Sequence, residues 1–377
     1  MKNKFVLRLC ILILVVMFSA SCFAAEKILF AVVGAMSEEV GAAGIEMERA
    51  TKLAIKEINE EGGVNGKEFT YIVGDDVGMP DQAVTIAQKF SLNKDILFVL
   101  GHHSSGCSIA ALPTWEKAGI PVISPTNTSP KITKLGHKNY FRIIANDDIM
   151  VNQLLKLAVI ELGFKNLAAI WVNSDYGKGM HDAAVKGTPE LGAKLLGDES
   201  YLPTEKDYSS QITKFKGAGV DCVLFLGGYT EFALFLMQSI NLGFHAQIVG
   251  ASGCSSSRMI EIAGEAAEGC YVISGFDPND KRPKQAKFIE SFETLYKVKV
   301  GEWGAHAYDI VYMAKQAIEM GGTTREKLIE VLHRSDFEYD GITGLIKFDE
   351  YGDVSEKKSL VLKVKDGAFT TFIPTKF

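Results

Sequence analysis

The chain has 377 residues, 47% of them hydrophobic, with 40 Lys and Arg against 46 Asp and Glu and a formal charge of −6. Disorder would need fewer large apolar residues and a larger charge imbalance, and a nucleic-acid partner would need a basic face, so the composition argues against both. At ~100–200 residues per domain, the length corresponds to two domains or to one large α/β unit.

In chain order, the first feature is a targeting segment. Lys2, Lys4 and Arg8 precede the apolar run LCILILVVMF at 9–18, followed by Ser19, Ala20 and Ser21. A basic start, a short apolar core and small residues predict a secretory signal peptide over 1–25, cleaved after Ala24 or Ala25. A spanning helix would need ~20 apolar residues, more than this run supplies. Removal of the segment takes the charge from −6 to −9. Ala20-Ser21-Cys22 also resembles a lipoprotein cleavage site, which would tether the chain at Cys22, although Ser19 stands where such sites usually carry Leu. Beyond the signal, Cys107, Cys222, Cys254 and Cys270 show no CxxC spacing. A Cys254–Cys270 bridge is open in an oxidising compartment, and Cys222 reads as a small buried hydrophobe.

From Lys27 onward, short apolar runs alternate with amphipathic stretches. Strands are expected at 28–33, 69–73, 96–100, 121–123, 167–172, 222–226 and 248–249, where continuous Val/Ile/Phe-rich runs suit parallel strands buried on both faces. Helices are expected at 48–60, 81–92, 149–162, 231–242, 284–298 and 306–320. In the first of these, Ala50, Leu53, Ala54, Glu57 and Ile58 follow i, i+3, i+4 spacing, and Gly62-Gly63 ends it. The alternation predicts an α/β fold, a mostly parallel sheet with helices on both faces.

Such sheets bind ligands outside the carboxyl ends of their strands, which makes the loops there the most informative part of the chain. They read GAMS (34–37), GHHSSG (101–106), SPTNTS (124–129), NSDYG (173–177), GGY (227–229) and GASG (250–253). Hydroxyls, glycines and tyrosines therefore stand where helix N-termini present free N–H groups, an uncharged cradle for a carboxylate. Ser and Thr at such positions often merely cap helices. Six loops of one character favour a cleft. Catalytic motifs are missing: the chain has no P-loop, no GxGxxG opening a helix, no HExxH and no EF-hand spacing. Gly250-Ala251-Ser252-Gly253-Cys254 falls one glycine short of a nucleophile elbow. His102 and His103 are adjacent after a strand and so point apart, one toward the core and one toward the surface, without a converging metal set. No enzyme, cofactor or metal is expected.

The ordered set of motifs resembles a known family. VVGAMS (32–37), INEEGGVNGK (58–67), Asp75-Asp76, DQAV (81–84), GHHSS, ISPTNTSP (123–130), YFRI (140–143), DYGKG (175–179), GGY and AGEAAEG (263–269) are similar to the periplasmic leucine/isoleucine/valine-binding proteins of ABC transporters, the type I periplasmic binding fold. The match spans essentially all of the mature chain. The resemblance implies two Rossmann-like α/β lobes with parallel central sheets joined by three hinge strands, 26–146 plus 276–357 and 147–275 plus 358–377. It implies a periplasmic, monomeric protein that captures a small amino acid or related carboxylate and delivers it to a membrane permease without chemistry.

The resemblance also carries site roles. Ser105 matches the position that holds the ligand carboxylate through hydroxyl and amide. Thr128 matches a threonine contacting carboxylate and amine, and Thr126 a residue whose carbonyl receives the amine. Tyr176 and Tyr229 match aromatics of the second lobe, and Trp303 falls near one lining the side-chain pocket. Two departures stand out. Ser252 occupies the place of an acid that pairs with the ligand ammonium, so either Asp147 or Glu231 substitutes or the ligand lacks an amine. Ala43 replaces an aromatic floor, leaving room for a larger ligand tail. The family's disulfide positions are Gly78 and Ser104 here. A soluble sensor feeding a signalling receptor is a second reading and a hydrolase a third, since fold alone does not separate these roles.

Overall fold

Strands buried on both faces need apolar side chains at every position, and the runs that have them form the middle of two sheets. The computed structural model describes residues 26–37 and 41–377. The expected signal peptide, with Cys10 and Cys22, lies outside the described residues. The first sheet has the order β2-β1-β3-β4-β5, with β1 at Lys27–Gly34, β2 at Glu68–Asp75, β3 at Ile96–Gly101, β4 at Val122–Ser124 and β5 at Tyr140–Arg142. All its pairings are parallel. Along β1, Phe30 and Val32 enter one core with the Ala42–Glu60 and Glu302–Glu319 helices. Ala31 and Val33 enter another, beneath the Pro80–Ser91 and Ser105–Lys117 helices.

The second sheet has seven strands in the order β14-β13-β10-β9-β8-β6-β7. These are β6 (Asn166–Val172), β7 (Lys194–Tyr201), β8 (Cys222–Leu226), β9 (Gln247–Gly250), β10 (Tyr271–Ser274), β13 (Leu360–Lys365) and β14 (Ala368–Phe372). Its β6–β10 portion is parallel. The last two strands are antiparallel additions at one edge. Between the sheets' contributions in sequence, β11 (Tyr339–Gly341) and β12 (Gly344–Ile346) form a small ribbon. The strands β5, β7, β10 and β11–β14 lie outside the strands expected from sequence, and the helix expected over 149–162 is α-helical only at Asp147–Lys156, then continues as a π-turn over Leu157–Glu161. Cys254 and Cys270 are not bridged: all four described cysteines are free thiols buried in the cores.

The chain passes between the sheets three times, after β5, after β10 and before β13. Buried charge ties these crossings together. The Arg142 guanidinium pairs with Asp353 through Nε and Nη2. It also donates to the carbonyls of Asn127 and Ser129 at 3.2 and 2.8 Å and to Thr133 Oγ1 at 2.9 Å. All five N–H donors of this wholly buried side chain are thereby used. Lys357 donates to the Ile143 carbonyl at 2.7 Å and to Thr343 Oγ1 at 2.8 Å. Glu302 accepts from the Gly275 amide at 2.7 Å and from Ser274 Oγ at 3.3 Å. Each crossing is thus gripped by a charged side chain.

Candidate functional site

The carboxyl edges of the two sheets face each other, and the helices that follow their strands begin in the gap. The Ser105–Lys117 helix has Ser104 at its N-cap without a side-chain cap bond, and the Tyr229–Asn241 helix likewise has Gly228. The first-turn N–H groups of the Ser105–Lys117 helix are left for another acceptor, and the positive end of its dipole favours an anion, whereas the Glu231 carboxylate turns back over the start of the Tyr229–Asn241 helix. The Asp175–Glu190 helix is different: Ser174 Oγ accepts from Gly177 N at 3.2 Å. Capping is therefore the role of Ser174 but not of Ser104.

The structure brings the seven expected residues to this gap in three groups. Ser105 is buried, and its hydroxyl accepts weakly from Ser129 N at 3.5 Å. Thr126 Oγ1 donates to the His103 carbonyl at 2.8 Å, tying the loop after β4 to the loop after β3. Thr128 is buried on the same loop, and its hydroxyl has no partner among the described residues. Across the gap, the Tyr176 hydroxyl accepts from Gly253 N at 3.1 Å and lies beside Ser252, so the two belong to one contact. Burial pushes the Tyr176 phenol up, keeping it a neutral donor. The third group is aromatic. Trp303 packs against Tyr229 and against His103, each with ring centroids 5.9 Å apart. Tyr229 begins a helix of the second sheet yet packs on the cores of both, so it bridges the two.

Sequence reasoning set one of His102 and His103 in the core and the other at the surface; the second of them, His103, is not at the surface. It is instead half-buried against Trp303, and burial lowers its pKa. His102 is fully buried: Trp115 Nε1 donates to its Nε2 at 3.1 Å, so Nδ1 carries the proton shared with Asp76 Oδ2 at 2.7 Å. That is a satisfied core histidine. Of the two acids named as stand-ins for Ser252, Glu231 turns back over Gly228 and sits among Tyr201, Tyr208 and Cys254. Asp147 lies next to Thr128 and Tyr176. Ala43 lies in the first turn of the Ala42–Glu60 helix, on its buried face.

Two groups went unread in the sequence. Glu46 accepts from Gly301 N at 2.9 Å and Gly304 N at 2.7 Å, capping the Glu302–Glu319 helix from another helix. Asp75 holds the loop after β1 through Met36 N at 2.9 Å and Ser37 Oγ at 2.5 Å. The roles of Glu46 and Asp75 escape a sequence reading because the groups that donate to them lie far away in sequence. A hollow of about 680 Å³ lies at the opposite, amino-terminal end of the second sheet, lined among others by Phe164, Lys216 and His245. None of the groups above reaches it, and parallel sheets hold ligands at the other edge.

Packing at the site is tight. A Cβ on Gly177 would come within 1.9 Å of the Val172 carbonyl oxygen. Gly177→Ala is expected to push the Asp175–Glu190 helix off β6 at a cost of about 1–3 kcal/mol, read as a lower urea midpoint. An unchanged midpoint would mean the helix start shifts freely.

A family model described as periplasmic binding protein matches residues 27–368. This chain belongs to the periplasmic binding protein family. The binding protein is 33% identical over 341 residues to a leucine-, isoleucine-, valine-, threonine- and alanine-binding protein of Pseudomonas aeruginosa, covering 89% of this chain and 90% of that one. A leucine binding protein of Thermotoga maritima has TM-score 0.84 at 26% identity, over 92% of this chain and 98% of its own. A branched-chain amino acid transporter substrate binding protein from Streptococcus pneumoniae, in complex with isoleucine, has TM-score 0.84 at 25% identity, over 91% and 98%. The parallel central sheets of this binding protein therefore match the type I periplasmic binding architecture that its motifs resemble.

Proposed function

We propose that this protein captures a small hydrophobic amino acid or related carboxylate between two lobes, 26–146 plus 276–357 and 147–275 plus 358–377, outside the cytoplasm. It then hands that solute to the permease of an ABC transporter, working as a monomer. The observation that carries the reading is the uncapped N-terminus of the helix at Ser105, with Tyr229 of the second sheet reaching Trp303 and packing on the cores of both sheets. Neutral N–H and O–H donors can hold a carboxylate strongly once water is excluded. Trp303 and Tyr229 supply apolar area with a polar handle for the tail. Relatives named for leucine, isoleucine and valine binding support the same class.

A ligand favours closure only through contacts it makes better in the closed state. Ser105 and Thr128 on one side, with Tyr176 and Tyr229 on the other, provide such contacts. The decisive experiment is calorimetry on refolded, ligand-stripped protein with leucine, isoleucine, phenylalanine and their deaminated analogues. Saturable binding of at least one is expected, and binding of none would overturn the reading. Tyr229→Ala is expected to weaken affinity about 10–100-fold, equivalent to roughly 1.5–3 kcal/mol. It should also reduce the ligand-driven compaction seen by small-angle scattering. Full compaction in that variant would remove Tyr229 from the mechanism.

A further inference from the structure

Two lysines one turn apart stand at the lip of the gap. The sequence KITK forms a four-residue helical turn, Lys131–Lys134, directly after the loop that carries Thr126 and Thr128. Its middle residues fix it to the first sheet's side of the molecule. Ile132 is buried in the core that holds Ala31 and Val33 of β1. Thr133 Oγ1 accepts from Arg142 Nη2 at 2.9 Å. Anchoring at the second and third positions turns the first and fourth outward, since residues three apart share a helix face. Lys131 and Lys134 are accordingly exposed.

Both lysines reach acids on the second sheet's side. Lys131 Nζ donates to Asp175 Oδ1 at 2.9 Å, and Lys134 Nζ lies 3.9 Å from Asp148 Oδ2. Asp175 opens the helix after β6. Asp148 stands in the first turn of the Asp147–Lys156 helix, whose Met150, Val151 and Leu154 share a core with Leu167 and Ala169 of β6. Asp175 Oδ2 faces across the gap as well: a Cβ added to Gly106, in the first turn of the Ser105–Lys117 helix, would lie 3.6 Å from it. The positive end of that helix dipole favours the carboxylate there. One turn after Asp175, Gly179 closes on Ser129 and Pro130, each 3.3 Å from an added Cβ. The four charged side chains keep between 38 and 73% of their exposure. Pairs so exposed add little to the stability of a fold. Across a gap that opens, however, the same small energy acts on the balance between open and closed forms.

We propose that the Lys131–Lys134 turn is an ionic latch: paired with Asp175 and Asp148, it holds the two lobes together over a captured solute and sets how fast that solute leaves. The inference rests on the two-lobe cleft of the proposed function and adds what keeps that cleft shut. Salt is its natural probe, because the screening length falls from ~30 Å at 10 mM salt to ~3 Å at 1 M. A zwitterion such as leucine has no net charge to screen, so release that quickens with salt reports the latch.

The test follows the ligand-stripped full chain by small-angle scattering without solute, and by stopped-flow release of L-leucine. In the wild type, release is expected to quicken about 3–10-fold between those two salt concentrations. Lys131→Glu sets like charges together. It is expected to expand the solute-free protein and to quicken release about 3–10-fold at low salt. Adding Asp175→Lys restores opposite charges and should bring both readings back to within about twofold of wild type. Lys131→Ala combined with Lys134→Ala should leave release independent of salt. These side chains are exposed, so the variants are expected to fold, checked by their urea midpoints. Wild-type scattering from the Lys131→Glu chain would overturn the latch whatever the solute. So would a charge swap that fails to restore the wild-type readings, which would mark a local role for Asp175 beside Tyr176. Scattering that follows the charges while leucine release stays unmoved would also overturn it. If scattering follows the charges but leucine, isoleucine and phenylalanine all fail to bind, the latch stands and the solute class of the proposed function falls.

Discussion

Asp353→Ala is expected to destabilise the protein by about 3–5 kcal/mol and to weaken ligand binding with it. The carboxylate neutralises Arg142, which is fully buried, through paired bonds from Nε and Nη2. Its removal leaves a charged guanidinium in the interior with two donors unmet, the costly way to break a buried pair. The same guanidinium holds the carbonyls of Asn127 and Ser129, on either side of Thr128. Relaxation of Arg142 therefore directly reaches the loop proposed to bind the ligand. Denaturant melts and calorimetry on the variant check both effects. Intact stability would mean that water reaches Arg142, and intact affinity would mean that the loop stands without it.

The ligand-free protein is also expected to lose about 2–3 kcal/mol of stability between pH 6.5 and 8, at roughly 1.4 kcal/mol per pKa unit for each group. Burial pushes Glu46 up to about 7, Asp147 to about 7 and Glu302 to about 8. A carboxyl raised in the folded state binds its proton more tightly there than in the unfolded chain. Its contribution is therefore present at low pH and lost as pH climbs from the unfolded value to the folded one. Two other sets bound the window. Carboxyls lowered by their partners, such as Asp75 and Asp280, contribute in full above about pH 5. His103 and His306, lowered by burial, cost stability only below about 6.5. Above pH 8 the sign turns, because Lys357 is lowered to about 8 by burial and its contribution grows with pH from there. Glu302→Gln is expected to remove about half of the decline, measured as the urea midpoint against pH. A wild-type profile flat across this window would mean these carboxyls ionise in water.

What the sequence made legible follows from burial. β1, β3, β6 and β8 are apolar at nearly every position because helices cover both faces, and their runs were read correctly within a residue or two. β7 is an edge strand whose burial alternates, and its sequence KLLGDESY carries too little apolar signal for a both-face pattern. β13 and β14 went unread although Asp366-Gly367, both at positive φ, is the turn that two-residue hairpins prefer. The site loops were legible because a parallel sheet collects its strand ends along one edge. The buried charges were not. Asp147 stood out only as one of two possible stand-ins for Ser252, and nothing in the sequence singled out Glu46, Glu302 or Lys357. Each is buried by contacts from segments far away in sequence, such as Glu46 with Gly301 and Lys357 with Ile143.

The threading of the chain also sets when it can fold. The five strands of the first sheet are complete at Arg142, but of the two helices on one of their faces only Ala42–Glu60 is made early, and the second begins only at Glu302. At 5–20 residues per second of synthesis, that face waits roughly 10–30 s for its second helix. Phe30, Val32 and Phe98 stay only partly covered for that time, since they lie in the core that the Ala42–Glu60 helix begins and the late helix closes. That core is therefore complete only once synthesis has passed Glu319, long after the strands it covers have been made.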